Sequence, residues 1–236
     1  MPRFAPEAHE LPDYLAIFPL PGVLLLPGQA LPLNIFEDRY LNLFEDAMAQ
    51  GRMVGMIQPR DPDDDELRTQ IISGVSPLFD IGGMGRITHF EETPDGRFVI
   101  RLLGVCRFAL ESEAVTDRGY RRAKVSWTEY LDDLNVDGGG GDAGISGLEQ
   151  DVDRKAFMAV LKRYLNLSNM NLDANILEKT PLELLVDALA MISPFDPPEK
   201  QALLESKSLQ DRARMLLTLM EIAVHDKNDG RGPLTN

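Results

Sequence analysis

Cysteine, histidine and positive charge are all scarce in this 236-residue chain, and each scarcity closes off a kind of chemistry. The single thiol, Cys106, cannot form an internal disulfide, which fits a reducing compartment. It lies among apolar residues in GVCRFAL with no basic or histidine partner in a recognisable local pattern, so it reads as a small buried hydrophobe rather than a nucleophile. The three histidines, His9, His89 and His225, are far apart and form no H-x-x-x-H pattern, nor does any C-x-x-C occur, so no zinc motif is present. Twenty-four Lys and Arg stand against 38 Asp and Glu, a formal charge of −14. Such a surface repels phosphate backbones and anionic membranes except where a local basic patch opposes the global field.

Nucleotide and catalytic motifs are missing as well. There is no G-x-x-x-x-G-K-[ST], and IGGMGRI (residues 81–87) does not lead into a helix whose N-terminus could hold phosphate. Its glycines read instead as strand positions where backbones approach closely. No G-x-S-x-G elbow occurs. The run DPDDDE (61–66) has carboxylates at alternate positions but lacks the glycine and the glutamate of a calcium loop, and GGGGDAG occurs only once, whereas glycine-aspartate repeats bind calcium in stacks. The expectation is a chain without metal, cofactor or enzymatic activity. With 38 acids some carboxylates will always lie close together, so a hydrolase built on scattered carboxylates stays as an alternative.

What is present begins with IFPLPGVLLLPGQALPLNIFEDRY, residues 17–40. A signal peptide wants a positive flank, but Arg3 is outnumbered by Glu7, Glu10 and Asp13, and four prolines (Pro19, Pro21, Pro27, Pro32) each remove a donor that a membrane helix needs. The segment therefore reads as short strands, LAIFPL, VLLL and ALPLNI, divided by Pro-Gly turns in a cytoplasmic protein. A helix over Phe36–Gln50 follows, with Tyr40, Leu43, Phe44, Ala47 and Met48 on one stripe and Gly51 past its end. MVGMIQ, PLFDIGGMGRITHFEET, GRFVIRLLGVCRFALESEAV and RRAKVSWTEYL continue as strands, and strands in such succession imply a barrel or strongly curved sheet.

The glycine-rich stretch 136–147 reads as a linker or loop between a first lobe, 1–135, and a helical second lobe, 148–236. Helix starts are written at Thr180-Pro181-Leu182-Glu183, Asp196-Pro197-Pro198-Glu199 and Ser208-Leu209-Gln210-Asp211. Amphipathic stripes such as Phe157, Val160, Leu161, Tyr164 and Leu165 make this half a small helical bundle. The fold class is α+β. One basic cluster, RGYRRAK, places Tyr120, Arg122 and Lys124 on one strand face, either as an RNA contact or as a solvated edge.

Taken together, IFPLPGVLLLPGQALPLNIFEDRY, GMIQP, IGGMGRI, GVCRF and LVDALAMISPFDPPEKQALLESKSLQDRARMLLTLMEIA resemble the N-terminal, substrate-binding domain of the Lon ATP-dependent proteases over roughly Leu15 to Val224. The resemblance implies a PUA-like β-barrel with one inserted helix, followed by a helical bundle. It also implies a free-standing member without the ATPase and peptidase domains, hence a non-catalytic module for polypeptide substrates, or for a protease or adaptor partner, linked to proteolysis. An RNA-binding PUA-like protein is the alternative, disfavoured by charge. Arg39, Arg86 and Arg107 lie within the family-like motifs, as binding residues or as partners of acids such as Glu37 or Asp38. Phe195 is either a residue of a cleft between the lobes or a hydrophobic staple before Asp196.

Overall fold

The computed structural model describes residues 6–60, 76–135, 148, 152–168, 170 and 172–228. The acidic run 61–66 and the glycine-rich stretch 136–147 lie outside the described residues. The strands are β1 (Tyr14–Pro19), β2 (Ala30–Ile35), β3 (Met53–Ile57), β4 (Ile81–Glu92), β5 (Phe98–Val115) and β6 (Arg121–Ser126). The helices are α1 (Asp38–Ala49), α2 (Arg154–Leu167), α3 (Ala174–Lys179), α4 (Leu182–Ile192), α5 (Pro197–Glu205) and α6 (Leu209–Asn228), so the protein is of mixed α+β class. Two compact units divide the chain: Met1–Gly139 with Pro194–Leu204, and Gly140–Ser193 with Glu205–Asn236.

In the first unit the strand order is β2-β5-β4-β3-β1-β6, and β6 also pairs with β5. Strands β5, β4, β3, β1 and β6 thus form a closed hydrogen-bonded circuit, with β2 attached to β5 from the side. Closure is made by β5, whose 18 residues are long enough to serve two partners in succession. Its first part pairs with β2 over Phe98–Leu103 and its last part with β6 over Ala109–Val115, with a register shift between Leu110 and Ser112 inside that pairing. Alternation puts Phe98, Ile100 and Leu102 inward and Arg101 outward, the period of two that a half-buried strand requires. Leu15, Ile17, Met84, Cys106, Phe108 and Val125 meet in the core inside the circuit.

One expected strand is not a strand. Leu24, Leu25 and Leu26 in VLLL are buried but belong to no strand; they run as a loop beside Gly83, Gly85 and Gly104. A Cβ on Gly83 would fall closer than 3.0 Å to the Leu25 carbonyl oxygen, and one on Gly104 equally close to that of Leu26. The glycines of IGGMGRI and of LLGVC therefore hold a trough that this loop fills, and Gly28 N–H donates to the Gly104 carbonyl at 2.9 Å. Trp127 to Leu131, also expected to extend a strand, turn out of β6 into a 3-10 helix at Leu131–Asn135.

Helix α1 buries Tyr40, Leu43, Phe44 and Ala47, the stripe its spacing predicts. It ends where Gly51 and Arg52 both take positive φ, at 82° and 62°, with Arg52 N–H donating to the Ala47 carbonyl at 2.8 Å. Helix α5 is also held by the first unit up to Leu204. Gln58 Nε2 donates to the Pro197 carbonyl at 3.2 Å and to Gln201 Oε1 at 3.1 Å, and Gln201 Nε2 donates to the Ile81 carbonyl at 3.0 Å.

In the second unit α2 buries Phe157, Leu161, Tyr164 and Leu165, and α6 buries Ala213, Leu216, Met220 and Val224. Arg212 Nη1 donates to Asp187 Oδ1 at 2.8 Å, joining α6 to α4. The caps are partly as the sequence predicts. Ser208 Oγ accepts from Asp211 N–H at 3.1 Å, and Asp196 N–H donates to Glu199 Oε2 at 2.9 Å. Thr180, however, does not open α4: its hydroxyl donates back to the Ile176 carbonyl at 2.7 Å and closes α3.

Candidate functional site

Strand β6 alternates strictly, with Ala123 and Val125 buried and Arg122 and Lys124 exposed. Register fixes what stands beside each exposed residue. Arg122 faces Ala16 on β1 and Ala114 on β5, and Lys124 faces Tyr14 on β1 and Ser112 on β5. The two alanines leave lateral space around the Arg122 guanidinium, which lies 5.5 Å from the centroid of the exposed Tyr14 ring. Beside it is a hollow with about 40 Å³ of room for water-sized groups, walled by Tyr14, Ala16, Asp46, Gln50, Tyr120 and Arg122.

The chemistry of this hollow is set by which charges are already paired. Tyr120 is buried and its hydroxyl donates to Asp46 Oδ2 at 2.8 Å; burial, then the Asp46 contact, raise its pKa. Arg118 donates to Asp46 Oδ1 and to Glu45 Oε2, and Asn42 Oδ1 accepts a further bond at 2.7 Å. Both oxygens of Asp46 are thus occupied. Lys124 pairs with Glu111 at 2.9 Å and Arg121 with Glu113. Among the described residues no carboxylate pairs with Arg122. Among the described residues, the hollow therefore sets a guanidinium with no carboxylate partner next to an exposed aromatic ring.

The remaining residues singled out from sequence are dispersed. Arg39 is exposed, pairs with Glu37 at 2.8 Å and lies over the Tyr40 ring. Arg86 is half-buried on β4, in register with Met53 and Leu103. Arg107 is buried, and its partner is Asp133 rather than Glu37 or Asp38, with Nε and Nη2 each donating at 2.8 Å. Its Nη1 donates to the Leu204 carbonyl at 3.0 Å, and its guanidinium lies 4.6 Å from the Tyr130 centroid. Burial acts to lower the Arg107 pKa, but the hydrogen bonds and charge of Asp133 outweigh it and the net shift is upward. Phe195 is buried. Of the basic face, Tyr120 and Arg122 reach the hollow; Lys124 points out beside it, tied to Glu111. Tyr14, Asp46 and Gln50 were not signalled by any motif, because Tyr14 comes from β1 and Asp46 and Gln50 from α1 and its C-terminal cap, all distant in sequence from β6.

Among the described residues no group of three or more His, Cys, Asp and Glu could hold a metal ion, and no helix is long and apolar enough to cross a membrane. The fold is that of Lon N-terminal domains. A crystal structure of a Lon N-terminal domain protein from Xanthomonas campestris matches with a TM-score of 0.57 at 24% identity, covering 87% of this chain and 97% of that one. The N-terminal domain of a Mycobacterium avium complex Lon protease matches with a TM-score of 0.55 at 16% identity, over 88% of this chain and 98% of that one. At the level of sequence, residues 14–221 match the ATP-dependent protease La (LON) substrate-binding domain, and the chain belongs to that family. It is 27% identical over 220 residues to the Lon protease of Roseiflexus castenholzii, covering 91% of this chain and 25% of that protein. With the Lon protease of Escherichia coli K12 the identity is 24% over 221 residues, 92% of this chain and 25% of the relative. The chain thus spans about a quarter of the length of these relatives, and the part matched is the substrate-binding domain.

Proposed function

We propose that this protein is a recognition module that binds polypeptide segments, in the service of proteolysis or protein quality control, and does no chemistry on them. The observation that carries this reading is the match of residues 14–221 to a substrate-binding domain. The closed circuit of β5, β4, β3, β1 and β6 is read as the PUA-like barrel and the helices of the second unit as its helical bundle, with the molecule working in the cytoplasm. An RNA-binding role draws less support, since Arg118, Arg121 and Lys124 each spend their charge on neighbouring acids and the chain carries −14. Incubation with an unfolded polypeptide bearing a photo-crosslinker tests the reading. Crosslinked adducts with the polypeptide intact, with and without ATP and magnesium, are the expected result; absence of adducts, or cleavage of the polypeptide by the purified chain, would overturn it.

A further inference from the structure

We infer that the hollow on the outer face of β1 and β6 is a carboxylate subsite, in which Arg122 receives an Asp or Glu side chain of the bound polypeptide while Tyr14 packs against an apolar neighbour in that segment. The inference rests on the recognition reading above and names what one part of the surface selects. Three independent features converge on it. Arg122 has alanines directly across from it on both neighbouring strands, so its planar fork is accessible from the side and from above. Among the described residues no carboxylate pairs with it, although Arg118, Arg121 and Lys124 around it all have one. The nearby acid of the hollow, Asp46, has both oxygens engaged by Tyr120 and Arg118, so it is held in place and partly neutralised rather than competing for the guanidinium.

Size and chemistry agree. About 40 Å³ of water-sized room beside Arg122 is enough for the head of a carboxylate side chain. A guanidinium binds a carboxylate through two parallel N–H···O bonds, the strongest pairing open to it at a surface. Tyr14, 53% exposed on the same face, offers a ring next to that contact. The net charge of −14 acts against acidic ligands at long range, but at physiological salt that repulsion fades over a Debye length of about 8 Å, while the direct contact persists.

The test uses the full chain and two blocked peptides, acetylated and amidated, that differ only in one residue, Phe-Glu against Phe-Gln within the same apolar sequence. Fluorescence anisotropy should give the Glu peptide the tighter binding by about tenfold, as a charge-assisted bond of about 1.5 kcal/mol implies. Arg122→Gln should erase that preference, so that the two peptides bind alike with thermal unfolding unchanged, and Arg122→Lys should keep only part of it. Tyr14→Ala should weaken both peptides alike. Equal affinity of the two peptides for the wild-type chain, or a preference that survives Arg122→Gln, would overturn the subsite while leaving polypeptide recognition standing. A non-amidated Phe-Gln peptide that binds as well as the Glu peptide would show a chain-terminus site instead. Failure of both peptides and of an unfolded protein to bind would remove the recognition reading itself.

Discussion

Arg107 and Asp133 form a buried two-point ion pair, with Nε to Oδ2 and Nη2 to Oδ1 both at 2.8 Å, and the Arg107 backbone N–H gives Oδ2 a further bond at 2.9 Å. The pair fastens the 3-10 helix at Leu131–Asn135 to β5, and through the Leu204 carbonyl it also fastens the end of α5. Removing one partner strands the other charge in the interior. Asp133→Ala should therefore cost about 3–5 kcal/mol, read from the urea midpoint. The double replacement Arg107→Met with Asp133→Leu should cost less than Asp133→Ala alone, since no unpaired charge remains.

The glycine trough makes a second prediction. In Gly83→Ala and Gly104→Ala the added methyl meets a backbone carbonyl, Leu25 or Leu26, rather than a flexible side chain. Each substitution should destabilise by about 1–3 kcal/mol or more and displace the Leu24–Leu26 loop. Limited proteolysis reports the displacement: new cleavage between Pro21 and Pro27 is expected in the variants and not in the wild type.

Cys106 offers a probe of unfolding. It is buried, its Sγ–H donates to the Tyr130 carbonyl at 3.2 Å, and burial followed by the Asp133 charge pushes its pKa up to about 12. The folded thiol stays protonated where the unfolded one, near 8.5, ionises. Its contribution to stability is thus complete below about pH 8.5 and declines as the pH rises toward 12. A disulfide reagent at pH 8 should react only at the rate of opening, and immediately in denaturant.

Lys200 acts in the opposite direction. Its side chain is buried on α5, and burial lowers its pKa to about 8. Between about pH 8 and the unfolded value near 10.4, the unfolded chain holds a proton that the folded chain has released, so this group adds stability as pH rises. In a Cys106→Ala background, which removes the opposing thiol ionisation, denaturation between about pH 7 and 9 should show that rise, and Lys200→Met should flatten it.

Local pattern carried a good part of this fold. The alternation of β5 and β6, the stripe of α1 and the cap at Ser208 are all written within a few residues of where they act. VLLL misleads because a short apolar run looks the same whether it pairs in a sheet or fills a glycine trough; the glycines that receive it are some sixty to eighty residues away. Thr180 misleads because one hydroxyl can serve the helix on either side. Helix α5 reads as part of the helical half, yet its anchors Gln58, Ile81 and Arg107 are distant in sequence. The hollow was half legible: alternation places Tyr120 and Arg122 on one face, but the register that sets alanines beside Arg122 and the pairing of Lys124 with Glu111 are not local signals.

Polypeptide recognition is tested most directly by an equilibrium titration of one labelled protein in two forms, native with its disulfides and permanently unfolded by reduction and alkylation. Saturable binding of the unfolded form, with the native form at least about tenfold weaker, is the predicted result. Equal binding of both forms, or none of the unfolded form up to about 100 μM, would contradict a role in polypeptide recognition.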